Sequence, residues 1–258
     1  MNSSCRSCLV GPLMFLAMLA ALFAVWLLMD PAALVALFDR SGRSVFELAT
    51  LPVFAAIIPL VWLKCPFGGS LKRRRILSAM VTIVVLMAIV KELDLHNAAF
   101  ACFFPDLVGQ DGLLLGDRLV RPDGRPLGGT PFKMRVLTNA EVPLAMKCLI
   151  VAYFISFFGV FAAGFAYFFP AWIKGVLRMD GAAWSFGCMG ASGVMVQIAD
   201  RLPSWIRDHG IMGDSWRALC TALEEGGEMM LAIFALLTIY LGHRAISSNP
   251  LALESKKV

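Results

Sequence analysis

The sequence predicts an all-α integral membrane protein, a bundle of about six transmembrane helices, on three observations. Of its 258 residues, 59% are hydrophobic and 16% charged, and the mean hydropathy is +0.76, too apolar for a soluble domain of ordinary composition. The apolar residues come in blocks of about 17 to 25, the length that crosses a hydrocarbon core of about 30 Å at about 1.5 Å per residue. The blocks also lack the period-2 alternation of a barrel strand, and a helix satisfies every backbone group within its own segment.

Taken in order, the spans read as 9–29, 45–63, 76–90, 144–169, 184–199 and 218–241. The first follows Arg6 and exceeds the ~7 to 15 residues of a signal-peptide core, so it reads as a retained anchor. The third and fifth are short. Each has an apolar extension beyond its charged end, 98–104 for the third, which admits a longer or tilted helix. Pro31, Pro66, Pro105, Pro143, Pro170 and Pro203 lie near span ends, where proline starts or stops a helix at low cost. The chain reads as one membrane domain, 1–258, with residues 105–143 as a Gly/Pro-rich loop. Pro122-Asp123-Gly124 marks a turn there, and the loop has no room for a soluble catalytic domain.

Lysines and arginines beside short loops resist translocation, so Lys64, Lys72, Arg73, Arg74 and Arg75 place their loop in the cytoplasm. That choice also puts Lys174, Arg178, Arg244, Lys256 and Lys257 inside. The chain is then N-in and C-in, and loop 105–143 is external. The formal charge of +5 reports topology and lipid headgroup contact, with no basic domain for nucleic acid. Lys72, Arg73, Arg74 and Arg75 are candidates for headgroup contact, although topology alone accounts for such a run. The bilayer is the partner the sequence implies.

Ionisable residues gather near the external span ends. Glu92, Asp94 and His96 close the third span, Asp200 the fifth, and Glu224, Glu225 and Glu228 occupy the first turns of the sixth, while Glu47 begins the second. On a helix, Glu92 and His96 share a face and Asp94 points away; Glu224 and Glu225 each lie within one turn of Glu228. A carboxylate at mid-bilayer costs about 2.5 to 3.5 kcal/mol on insertion scales and usually faces protein or water. Gly226 and Gly227 beside Glu228 suit close helix approach or water access. Carboxylate-rich sites suit hard divalent cations such as Ca²⁺, Mg²⁺ or Mn²⁺, and one imidazole admits Fe or Zn. The plainer reading is also open: helix-end charges snorkel or pair with lysines, and acids in a first turn meet the positive end of the helix dipole.

Several machineries are absent or incomplete. The chain has no H-E-x-x-H, no G-x-x-x-x-G-K-[ST] and no G-x-S-x-G. Its histidines, His96, His209 and His243, support haem poorly, because His243 falls on the opposite membrane side. Cys5 and Cys8 form a C-x-x-C with no second pair or nearby histidine to complete a site. Cys148, Cys188 and Cys220 sit in or beside apolar runs, as small hydrophobes do.

The set Lys91-Glu92-Leu-Asp94-Leu-His96, Phe132-Lys133, Ala199-Asp200-Arg201 and Leu223-Glu224-Glu225-Gly-Gly-Glu228-Met resembles uncharacterised bacterial inner-membrane proteins. Those carry a basic-E-x-D-x-H stretch and a late E-E-x-x-E transmembrane helix. The resemblance covers about 91–241 and implies no known activity. It implies a multi-pass protein of the bacterial inner membrane in which Glu92, Asp94, His96, Asp200, Glu224, Glu225 and Glu228 belong together.

The leading expectation is a cation- or proton-binding carboxylate/His pocket near the external leaflet. A metal-dependent membrane hydrolase or transferase acting on lipid is the first alternative, using the same residues to hold a metal-activated water. A non-catalytic accessory or assembly subunit is the second, with the acids pairing to Lys91, Arg201 or Arg217.

Overall fold

The computed structural model describes residues 3–38, 45–64, 67, 70–93, 95, 102, 134–138, 142–209 and 213–247, and among them every regular element is a helix. These are α1 (Ser3–Leu28), α2 (Pro31–Phe38), α3 (Val45–Lys64), α4 (Leu71–Glu92), α5 (Met134–Thr138), α6 (Leu144–Leu177), α7 (Gly181–His209) and α8 (Asp214–Ser247). Four are long and apolar enough to cross a membrane: Ser7–Leu28 of α1, all of α6, Gly181–Pro203 of α7, and all of α8. In α3 the apolar stretch is shorter, Leu48–Lys64. In α4 the apolar middle is hemmed by Lys72 to Arg75 at one end and Lys91 and Glu92 at the other. The hydropathy reading contains no counterpart of α2. Its start has a local cause: the Asp30 carboxylate accepts the Ala32 N–H at 3.0 Å, with Pro31 at the first helical position.

The chain divides into two units, Met1–Val85 with Ala166–Val258, and Leu86–Phe165, the division falling within α4 and within α6. In the first unit α8 is the central helix, packed by α7, α3, α1 and α2, and α1 also packs on α7. Paired positions fix the directions. Ser7 and Gly11 of α1 meet Gly181 and Ser185 of α7, so those helices run parallel. Leu22 of α1 covers Gly226, and Phe15 lies 6.0 Å from Phe234, so α1 runs antiparallel to α8. The core between them holds Leu34, Phe38, Ala222, Met230 and Phe234, and Phe38 stacks on Phe46 at 4.1 Å to join α2 to α3.

Apolar burial drives nothing between helices in lipid, so close packing and interhelical hydrogen bonds carry the association. The Ser185 hydroxyl donates to the Phe234 carbonyl at 3.3 Å. At the other end of α1 the Trp26 indole N–H donates to the Ser215 carbonyl at 2.9 Å and reaches its hydroxyl at 3.1 Å, with Trp216 5.6 Å from Trp26. Between α3 and α4, the Trp62 indole N–H donates to the Thr82 hydroxyl at 3.0 Å and the Ser78 hydroxyl to the Val61 carbonyl at 3.5 Å.

The α6–α7 turn closes by two backbone bonds, Asp180 N–H to Gly175 carbonyl at 2.9 Å and Met179 N–H to Val176 carbonyl at 3.0 Å, a pattern that needs a left-handed residue at 179. Met179 supplies it at φ 57°, where a Cβ is strained. Met179→Gly is therefore expected to raise stability by about 1 kcal/mol, read as a higher thermal midpoint in detergent; an unchanged or lower midpoint would show that the methionine side chain compensates. Asp180 then caps α7, its carboxylate accepting the Ala182 N–H at 2.9 Å.

The second unit comprises the end of α4, α5 and the first part of α6. Its fully buried side chains among the described residues include Val136, Met146 and Ile150. Phe154 meets Tyr153 edge-on at 6.2 Å and stacks on Phe158 at 6.0 Å, while Ile155 and Phe158 are exposed.

Candidate functional site

Residue spacing on one continuous helix builds the centre of the site. Because α8 runs unbroken from Asp214 to Ser247, Glu225 and Glu228 stand three apart on one face. Their carboxylate oxygens lie within 4.8 Å of one another, and both side chains are half-buried. Glu224 is half-buried one position earlier, and each of these three acids makes a polar or electrostatic interaction. Between the paired acids, Gly226 and Gly227 are buried. A Cβ on Gly226 would stand 2.7 Å from Leu22, and one on Gly227 2.6 Å from Val196. The glycines thus let α1 and α7 close directly on the α8 backbone beside the carboxylates.

Asp200 is exposed on α7, 3.5 Å from the guanidinium of its neighbour Arg201, and joins no metal-sized group with Glu225 and Glu228. An exposed pair of that kind is worth at most about 1 kcal/mol. Glu92 lies in the second unit at the end of α4, where its side chain is 6% exposed and 3.5 Å from the Lys91 ammonium. Asp94 and His96 lie outside the described residues, as does most of loop 105–143, and Glu47 is described in its backbone alone. His243 is partly exposed near the end of α8, with its ring Nε2 3.4 Å from the Ser247 hydroxyl. Cys8, Cys188 and Cys220 are buried free thiols, while Cys102 and Cys148 are exposed.

Two carboxylates this close have two chemical uses. Ionised, they present oxygens that a hard cation can bridge; sharing one proton, they relieve the repulsion of like charges and form a proton-exchange group. The neighbouring hollow is apolar: a cavity of about 160 Å³ is lined by Leu22, Phe38, Phe46, Gly226 and Met230, with none of the acids. A second, more open groove of about 400 Å³ is lined by Phe15, Trp172, Val176, Trp184 and Cys188.

Two features escape sequence reasoning. Tyr167 of α6 lies under Arg73, its ring centroid 5.0 Å from the guanidinium carbon. The nearest sequence signal is an aromatic close to the end of an apolar helix, which does not name the residue it packs on. The Trp184 indole N–H is buried with no acceptor among the described residues, and no sequence pattern marks that. No protein-family model matches the chain, and neither a curated protein nor a solved structure matches it.

Proposed function

We propose that this chain is a six-span protein of a bacterial inner membrane, N-in and C-in, that binds a cation or moves protons at a carboxylate site on α8 toward the external leaflet. The observation that carries the reading is the Glu225–Glu228 pair, two half-buried acids with oxygens within 4.8 Å in the middle of a 34-residue apolar helix. Depth supports it. Trp216 and Tyr240 are exposed near the two ends of α8, as interfacial aromatics are, and Glu228 is equidistant between them, about 18 Å from each. A carboxylate at that depth is costly unless protein, water, a proton or a cation compensates it. Helix directions are those an even number of spans requires: α1 and α7 run parallel, and α8, the last, opposes α1.

The test is equilibrium binding of Mn²⁺ to the detergent-purified chain, together with proton and cation flux in proteoliposomes. Wild type should bind about one ion per chain or carry a flux, and Glu225→Gln/Glu228→Gln should lose at least ten-fold in the property found. A folded double variant with full binding and flux sinks the reading. Bound metal without flux would instead favour metal-dependent chemistry on lipid. Glu92→Gln in the same assays asks whether the acid singled out on α4 contributes.

A further inference from the structure

The start of α4 concentrates positive charge. Lys72, Arg73, Arg74 and Arg75 are consecutive, so at about 100° per residue they surround the helix. Among the described residues none of the four is paired with a carboxylate. The positive end of the helix dipole adds to them, and the Ser70 hydroxyl caps it by accepting the Arg73 N–H at 3.4 Å.

Two of these side chains are held in place. The Arg73 guanidinium carbon lies over the Tyr167 ring, 5.0 Å from its centroid, a cation–π contact that uses none of the guanidinium's N–H donors. The Arg74 Nε is buried and has no acceptor among the described residues. A buried donor on a charged group is expensive to leave unmade, so the geometry calls for an anion from outside the chain. The surroundings name its source. Leu71 and Ile76, which flank the cations on α4, are exposed, so apolar surface gives way to charge within one helical turn. In a bilayer that is the level of the lipid phosphates.

We propose that Lys72, Arg73, Arg74 and Arg75, with Tyr167 as a platform, form a binding site for the phosphate of an anionic phospholipid. The site is independent of the α8 carboxylates. It asks more of these residues than orientation does, because charge count alone sets topology, whereas a bound phosphodiester needs the forked guanidinium donors in position. A zwitterionic lipid offers the same phosphate but brings its own cation, so net charge selects the occupant.

The experiment compares phosphatidylglycerol, phosphatidylcholine and inorganic phosphate on the full-length chain in detergent, read by native mass spectrometry and by the thermal midpoint. Wild type should hold phosphatidylglycerol at least ten-fold more tightly than phosphatidylcholine. Arg73→Gln/Arg74→Gln should weaken phosphatidylglycerol roughly five-fold per charge, about 25-fold together. Arg73→Lys/Arg74→Lys keeps every charge and hence the membrane orientation, and should still lose several-fold. Equal binding of the two lipids by wild type overturns the proposal, as does unchanged phosphatidylglycerol binding in the glutamine pair. Displacement of the lipid by millimolar inorganic phosphate would make this a small-anion site and overturn the lipid occupant. If the glutamine pair does not insert, the lysine pair decides: full affinity there reduces the run to a topology determinant.

Discussion

Gly181→Val is expected to destabilise the protein by more than about 3 kcal/mol, because the residue it would crowd is backbone. A Cβ at 181 would stand 2.6 Å from the Ser7 carbonyl oxygen and 2.9 Å from its carbonyl carbon. Backbone cannot rotate aside as a side-chain tip can, so α1 and α7 must part. Four residues on, a Cβ at Gly11 would meet the Ser185 backbone at 3.1 Å, so the same crossing is tight over a full turn. Gly190 of the same helix is the control, because nothing lies within 4 Å of a Cβ there. Thermal unfolding in detergent should give a much lower midpoint for Gly181→Val and one at or slightly above wild type for Gly190→Ala. A wild-type midpoint for Gly181→Val would mean that α1 does not pack against α7 as described.

Phe234→Ala should cost about 3 to 5 kcal/mol. Phe234 is fully buried in α8, packed among Leu34, Phe38 and Met230 and tilted against Phe15 at 6.0 Å. Lipid cannot fill the space without prising the helices apart, so the surrounding side chains lose their dispersion contacts outright. The Phe234 carbonyl also accepts from Ser185 at 3.3 Å and from Thr238 at 2.7 Å, and both bonds survive the substitution because they involve backbone. Phe234→Leu should therefore recover most of the loss in the same thermal assay, whereas equal losses for Ala and Leu would implicate backbone disruption.

Much of this fold is legible in the sequence because hydropathy is a local property. Apolar blocks mark the long helices, but the helix ends run past the blocks. The block 184–199 lies inside Gly181–His209, and 218–241 inside Asp214–Ser247, because charged residues such as Arg201 and Arg217 end a hydropathy window without ending a helix. The eight residues of α2 escape a search for spans since they are too few to cross a bilayer, although Asp30 and Pro31 form a recognisable helix start. The Glu225–Glu228 pairing follows from spacing on one helix. Membrane side alone groups Asp200 with those acids, and a shared side does not fix lateral position. Tyr167 beneath Arg73 depends on tertiary packing between residues distant in sequence, which no local pattern encodes.

The Trp26–Ser215 bond joins residues 189 apart, and that separation is also a delay. At about 5 to 20 residues per second, the ribosome takes roughly 10 to 40 s to make the partner that α1 eventually fastens to. During that interval α1 must persist in lipid without the helices it will pack against. Its span has a mean hydropathy of 2.5 against 1.2 for Gly181–Pro203, a difference suited to their order of synthesis. The early helix has to be soluble in the bilayer by itself, whereas the late one arrives where α1 is already waiting and can carry serines and glycines that only a neighbour makes tolerable.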